Sequence, residues 1–120
     1  MTRANSPLCL INPKKSRTEP AVDPLALLIP IPADLQAMTR LFGQAGPLCF
    51  KNSFMRAFQL SDSLRATALA GPAVGAPQAV MILEKLVALG ARRVILLGWA
   101  GGLQPGLAPG DILLPDQALS

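Results

Sequence analysis

The sequence predicts a layered α/β fold with a mostly parallel sheet. Residues 25–29 and 94–97 are short, continuous apolar runs, the pattern of strands that are buried on both faces of a sheet. Between them, apolar residues recur every three or four positions from residue 77 to residue 89, as in an amphipathic helix. An amphipathic helix that leads into a buried strand is typical of layered α/β domains.

The first ordered element is expected only after residue 23. Residues 1–23 are rich in proline, serine, threonine and charge, so we predict a flexible leader followed by one domain over residues 24–120. Pro30 and Pro32 end the first strand. A helix is predicted over residues 33–44, and its apolar face comprises Leu35, Met38, Leu41 and Phe42. One or two strands are predicted between residues 48 and 60. Residues 64–70 fit a strand or a helix, and we predict a strand.

The helix that begins near Pro77 has the clearest local signals. Proline suits the first turn of a helix, where its missing N–H breaks no hydrogen bond, and Gly90 stands where a glycine cap is expected. The predicted apolar face comprises Val80, Leu83, Leu86 and Val87, with Ile82 beside it, while Gln78, Glu84 and Lys85 take the other side. The apolar strand 94–97 follows, and residues 111–114 predict one more strand.

Composition excludes several classes of protein. The chain has 120 residues, of which 51% are hydrophobic and 15% charged, so it is expected to fold as one domain rather than stay disordered. Its formal net charge is +4, four of its basic residues lie in the leader, and no basic stripe with interleaved aromatics predicts nucleic-acid binding. The chain has no histidine, its two cysteines lack metal-ligand spacing, and it has no apolar stretch of membrane-spanning length. We expect a cytoplasmic protein without metal or membrane partner.

Three glycine- or proline-rich segments follow predicted strands. They are IPIPAD after residue 28, GPAVGAP at residues 71–77, and GWAGGL at residues 98–103. In open α/β sheets, ligands bind outside the carboxyl ends of the strands, and glycines let backbone N–H groups approach a ligand. Glycines beside a strand also serve tight turns, and this alternative stays open for GWAGGL. The segment departs from the dinucleotide pattern G-x-G-x-x-G, so a nicotinamide site is not expected.

The order of these motifs resembles the nucleoside phosphorylase and nucleosidase family. The chain carries G-x-x-x-G-x-P, a helix ending in LGA, two basic residues, an apolar strand, G-x-A-G-G-L and then Gly-Asp before an apolar run, over residues 71–115. The resemblance implies a single phosphorylase-like domain of three layers, α/β/α, in which helices lie on both faces of a mixed, mostly parallel sheet. It also implies a homo-oligomer, and transfer of the ribosyl group of a purine or pyrimidine nucleoside to phosphate, as in nucleoside salvage. It implies no metal or organic cofactor, with phosphate as co-substrate.

The resemblance also implies which residues contact the substrate. Val74 and Gly75 match the loop against ribose and phosphate, while Gly98, Ala100 and Gly101 match the loop beneath base and ribose. Trp99 either stacks on the base or packs in the core or at a subunit interface. Asp111 is expected to tie its own loop by hydrogen bonds.

Departures from the family at four positions concern phosphate. One large branch has an arginine in the strand where this chain has Leu96, and a hydroxyl residue where it has Trp99. In the first loop, Pro32 and Gln36 stand where that branch has a glycine and an arginine. These departures favour the alternative of a phosphate-independent nucleosidase. Other arginines that could reach the site are Arg56, Arg65, Arg92 and Arg93.

The resemblance leaves the catalytic residues unassigned. The family's acidic residue for the ribose hydroxyls and its base-protonating side chain are expected beyond Ser120, so the chain is expected to be an N-terminal half of the domain. A non-catalytic module that binds nucleosides or forms oligomers is therefore the alternative from another class.

Overall fold

The computed structural model describes residues 13–42, 45–51, 56–60 and 67–117, with backbone alone for 45–51, 56–60 and residue 67. Five strands and two helices occur in these ranges. In chain order they are β1 (Leu25–Leu28), α1 (Pro32–Leu41), β2 (Ala45–Lys51), β3 (Arg56–Leu60), β4 (Thr67–Gly71), α2 (Gly75–Leu89) and β5 (Arg93–Leu96). The strands predicted at 25–29 and 94–97 are thus confirmed to within a residue, and both predicted helices form.

All five strands form one sheet in the order β2-β3-β4-β1-β5. The central strand β1 pairs in parallel with β4 on one side and with β5 on the other, so that Leu28 stands between Ala70 and Leu96. β3 pairs antiparallel with β4, and β2 antiparallel with β3. Every strand except β3 therefore runs in the same direction, which confirms the mixed, mostly parallel sheet.

The two helices cover opposite faces of this sheet. Successive side chains of a strand point to opposite faces, so Ala26 and Leu28 of β1 pack with α2, whereas Leu27 and Ile29 pack with α1. On the α2 side the buried cluster comprises Val22, Ala26, Leu28, Ala68, Ala70, Ile82, Leu86, Leu89 and Ala91. On the α1 side the buried residues are Ile29, Leu35 and Leu69. The three-layer fold class is confirmed.

The face that α2 turns to the sheet differs from the predicted one. Ile82, Leu86 and Leu89 are buried, whereas Val80, Leu83 and Val87 are between 40 and 50% exposed. Because apolar residues occur on both sides of this helix, three- and four-residue spacing describes two stripes equally well. Packing against β1 and β4 selects the stripe through Ile82. The predicted cap is confirmed, since Gly90 has a φ of 125° and its N–H donates to the carbonyls of Leu86 and Val87.

Helix α1 ends earlier than predicted. It stops at Leu41, where the N–H of Phe42 donates to the carbonyl of Met38 at 3.1 Å. Leu35 is buried, but Leu41 is 74% exposed, so the prediction that Leu41 belongs to the packed face is wrong. Met38 packs against the buried residues on this side of the sheet, whereas Leu41, one turn later, does not.

The strand predicted at residues 111–114 does not form. These residues have no hydrogen-bonded neighbour strand within the described ranges, and Ile112 and Leu114 are each 93% exposed. A strand needs a ladder partner for its N–H and C=O groups, which an apolar sequence alone does not supply. The predicted role of Asp111 is confirmed, since its Oδ2 accepts a hydrogen bond from the N–H of Ala108 at 2.8 Å.

The part of the predicted leader that the structure describes lies against α2. Lys85 Nζ donates to Glu19 Oε2 at 2.8 Å and to the carbonyl of Lys14 at 2.9 Å. The N–H of Val22 donates to the carbonyl of Leu89 at 3.1 Å, and the Val22 side chain is buried. Neither helix in the described ranges has the length and apolarity that crossing a membrane requires.

Candidate functional site

The carboxyl ends of β1, β4 and β5 meet at one edge of the sheet, because these strands are parallel and in register. The segments that leave them there are residues 29–32, 71–75 and 97–101. All six residues predicted to line the site lie on the second and third of these segments. The structure therefore brings both groups to the edge at which open α/β sheets bind ligands.

The segment after β4 fits tightly against the end of β1. The N–H of Ile29 donates to the carbonyl of Ala70 at 2.9 Å, and the N–H of Ala73 donates to the carbonyl of Pro30 at 3.0 Å. Gly71, which precedes a cis peptide bond to Pro72, has a φ of 146°. A Cβ added there would lie 2.1 Å from the carbonyl oxygen of Ile29. Only glycine allows the two segments to approach this closely.

Val74 and Gly75 form the junction between this segment and α2. Val74 is the N-cap residue, is 84% exposed, and donates its N–H to Gln78 Oε1 at 2.6 Å. Gly75 begins the helix with a φ of 73°, a left-handed conformation that favours glycine. The first turn holds no acidic residue. The positive end of the helix dipole therefore adds a field that favours an anion at this edge.

The segment after β5 crosses to the first turn of α1. The N–H of Leu97 donates to the carbonyl of Leu28 at 2.9 Å and so extends the parallel ladder by one residue. Beyond it, Gly98, Ala100 and Gly101 are exposed. The indole Nε1–H of Trp99 donates to Asp34 Oδ2 at 2.6 Å.

Trp99 is not a core residue of the described chain. Its side chain is 81% exposed, although its polar nitrogen is bonded to Asp34. The prediction that it packs in the core is therefore wrong, and the alternatives of a subunit interface and of base stacking stay open. Asp34 is half-buried and lies in IPIPAD, one of the three segments that follow predicted strands. Nothing in the sequence paired it with Trp99.

Strand register separates the candidate arginines. Arg56 stands opposite Gly71, at the same edge as the loops, and Lys51 stands opposite Arg56 on the next strand. Sequence reasoning missed Lys51; its place at the end of an apolar stretch was the only available signal. The edge therefore carries two cationic positions in neighbouring strands.

The other arginines are placed differently. Arg92 and Arg93 lie at the opposite edge, where the N–H groups of both donate to the carbonyl of Pro24 at 2.9 Å. Their exposed side chains start from the wrong end of β5 to line the loops. Arg65 lies outside the described residues. Among the arginines named from sequence, register thus favours Arg56.

Comparison with known protein families agrees with this geometry. A family model described as the phosphorylase superfamily matches residues 31–120. The match covers most of the chain, including α1, β4, α2, β5 and the segments that follow β4 and β5, and confirms the resemblance inferred from the motifs. No curated protein matches the chain. The chain belongs to the phosphorylase superfamily.

Proposed function

We propose that the protein cleaves the bond between the base and the ribose of a purine or pyrimidine nucleoside by transferring the ribosyl group to phosphate. The proposal rests on membership of the phosphorylase superfamily and on the chemistry of the loop edge. We use this name for the edge of the sheet at which residues 29–32, 71–75 and 97–101 leave the parallel strands. It requires a surface for the nucleoside and a separate site for phosphate. It requires no metal or organic cofactor.

The observation that carries the choice of phosphate is the position of Arg56. Arg56 is in register with Gly71, and Lys51 is in register with Arg56. Arginine binds phosphate through two parallel hydrogen bonds, and lysine adds a point charge. The N-terminus of α2 begins only a few residues after Gly71 and favours the same charge. Three independent features thus favour an anion near residue 71.

The reaction that this edge would support is a displacement at the anomeric carbon. A phosphate oxygen forms the new bond to that carbon, while the bond to the base nitrogen breaks and its electron pair leaves with the base. A proton then neutralises the base, and ribose 1-phosphate remains. Positive charge develops on the ribosyl group during this step. A phosphate anion held against the ribose would stabilise that charge before the new bond is complete.

Hydrolysis by water is the second candidate, and a specific observation favours it. Leu96 stands at the end of β5 and is 59% exposed, at a position where one phosphorylase branch has a phosphate-binding arginine. Leucine has no group that can bind phosphate. If the reaction is hydrolysis, Arg56 has no phosphate to bind, and Arg56→Ala leaves the rate of base release nearly unchanged.

A base-release assay with and without phosphate separates the two reactions. Adenosine, inosine and uridine are incubated with the protein, and free base and ribose 1-phosphate are measured by chromatography. Phosphorolysis predicts that release depends on phosphate and yields ribose 1-phosphate. Release at the same rate without phosphate, yielding free ribose, would establish hydrolysis instead. Nucleoside binding by calorimetry without any base release would indicate a non-catalytic nucleoside-binding module.

Arg56→Ala and Arg92→Ala form a matched pair for the phosphate site. Each removes one arginine, but Arg56 is at the loop edge and Arg92 is at the opposite edge. We expect Arg56→Ala to raise the KM for phosphate at least tenfold and to leave the affinity for nucleoside nearly unchanged. Arg92→Ala should leave both unchanged. Equal effects of the two variants would contradict a phosphate site beside Gly71.

We also propose that the protein forms a homo-oligomer and is cytoplasmic. Ile95 and Leu96 on the edge strand β5 are more than half exposed, which supports contact with another copy. The cytoplasmic location rests on the sequence.

A further inference from the structure

We propose that Trp99 is the stacking surface for the base of the nucleoside, and that Asp34 is the positioning residue that holds its ring in place. This inference rests on the proposed function, because it assumes that the loop edge binds a nucleoside. It goes further by assigning the contact with the base to the Trp99 ring and by naming a purine as the preferred base. It also assigns a role to a carboxylate that touches neither the base nor the ribose.

The hydrogen bond and the exposure of Trp99 carry this inference together. The indole nitrogen, the only polar atom of the side chain, is bonded to Asp34 Oδ2 at 2.6 Å, while the side chain is 81% exposed. A large aromatic ring with its polar atom satisfied and most of its surface in water is an unusual arrangement for a packing residue. It is the arrangement expected of a platform on which another ring stacks.

Asp34 is fixed by the sheet rather than by the loop. It lies in the first turn of α1, where the helix dipole favours a negative charge. The next residue, Leu35, is buried against Ile29 and Leu69. The acceptor for the indole is therefore mounted on a helix that is packed on β1 and β4. Its hydrogen bond to the indole therefore restrains the ring of Trp99, although Trp99 lies on an exposed loop.

The position of Trp99 relative to the other loops suits a nucleoside. Trp99 follows β5, while Val74 and Gly75 follow β4, and the end of β1 lies between them. A molecule that spans this edge therefore meets an aromatic platform at one end and an anion-favouring helix terminus at the other. The bicyclic indole overlaps a bicyclic purine more fully than a single pyrimidine ring, so a purine nucleoside should bind more tightly.

Tryptophan fluorescence tests the stacking directly. The chain contains one tryptophan and no tyrosine, so its emission reports on Trp99 alone. We expect adenosine and inosine to quench this emission, with dissociation constants equal to those from calorimetry and lower than that of uridine. Binding measured by calorimetry without any change in emission would overturn the inference and leave the proposed function standing. If calorimetry and emission detect no binding of any nucleoside, both proposals fall.

Substitution of the ring provides a second readout. Trp99→Leu should weaken adenosine binding about 5- to 150-fold, which is the affinity range that corresponds to one base–aromatic stack. Trp99→Phe keeps a ring and should retain most of the affinity. Leu103→Ala is the matched control, because Leu103 is 97% exposed in the same segment. Equal affinities for wild type, Trp99→Leu and Leu103→Ala would overturn the inference.

The test of Asp34 must distinguish a residue that positions the indole ring from one that only stabilises the fold. Asp34→Asn keeps an oxygen acceptor for the indole and should bind adenosine within about threefold of wild type. Asp34→Ala removes the acceptor and should weaken adenosine binding at least tenfold, with the KM for phosphate unchanged. If Asp34→Ala binds adenosine as wild type does, or if Asp34→Asn is equally impaired, Asp34 is not the positioning residue.

Discussion

Gly71 and Ile29 approach each other so closely that residue 71 cannot carry a side chain. The carbonyl oxygen of Ile29 lies 2.1 Å from the point where a Cβ at residue 71 would be. The same glycine has a φ of 146°. This contact joins the ends of β1 and β4 and thereby fixes the spacing of the two loops that begin there.

Gly71→Ala should therefore destabilise the fold by about 3 kcal/mol or more, because it combines a backbone clash with a strained φ. Urea unfolding followed by circular dichroism measures this loss. Gly101→Ala is the control, since a Cβ at Gly101 has no atom within 4 Å. Its stability should stay within about 0.5 kcal/mol of wild type. Similar losses in both variants would contradict the importance of the Gly71–Ile29 contact.

The ion pair between Glu19 and Lys85 should make stability depend on acid pH. The hydrogen bond from Lys85, together with one from the N–H of Ser16, lowers the pKa of Glu19 below its ordinary value of 4.5. A carboxyl whose pKa is lower in the folded state stabilises the fold above the unfolded pKa. This contribution is complete above about pH 5 and is lost as the pH falls through the lowered pKa.

Glu19→Gln measures that contribution. At pH 7 we expect the variant to be less stable than wild type by about 0.5 to 1 kcal/mol, the range of a partly exposed ion pair. The difference should shrink as the pH falls below 4.5 and disappear once the pH is below the lowered pKa, because wild-type Glu19 is then itself protonated. Thermal unfolding of both proteins between pH 2.5 and 7 provides the comparison. A difference that is constant across this range would exclude the ion pair as its cause.

The face of α2 that meets the sheet can be checked with two leucines. Leu86 is 1% exposed and Leu83 is 40% exposed, although both stand on the apolar face that the sequence predicts. Leu86→Ala should cost about 2 to 5 kcal/mol of unfolding free energy, as expected for a cavity in the core. Leu83→Ala should cost less than about 1 kcal/mol. Equal costs would show that α2 packs through the predicted face.

Ile95 provides a test of self-association. β5 is the edge strand of the described sheet, and Ile95 is 52% exposed on it. A charge on an edge strand discourages pairing with another chain, so Ile95→Lys should shift the protein toward monomer in sedimentation velocity. Leu41→Lys is the control, because Leu41 is 74% exposed at the end of α1. If both variants sediment as wild type does, the contact between copies lies elsewhere.

Elements with local signals could be predicted from the sequence. The apolar run of β1 is bounded by prolines, and α2 has a proline in its first turn and Gly90 at its end. Each signal lies within a few residues of the structure that it specifies. The same reasoning explains why the loops after β4 and β5 were expected at a common edge, since parallel strands end together.

Features that depend on distant partners could not be predicted. The apolar residues 112–114 look like a strand, but a strand forms only beside a neighbour. The face of α2 depended on which stripe fitted β1 and β4. The bond between Trp99 and Asp34 joins residues that are 65 positions apart. The residue types indicate what chemistry each side chain can take part in. Which residues pair depends on the order of the strands in the sheet.

The position of β1 in the middle of the sheet has a consequence for how the chain folds. β1 is the first of the described strands to be synthesised, yet both of its neighbours, β4 and β5, come later in the sequence. Its backbone N–H and C=O groups can therefore form ladder hydrogen bonds only with segments that are distant in the sequence. Pairing between segments so far apart in sequence is slow. On the ribosome, the parallel core cannot close until residues 93–96 have left the exit tunnel. Until β4 has emerged, β1 is an apolar strand without either partner, the kind of segment that chaperones protect.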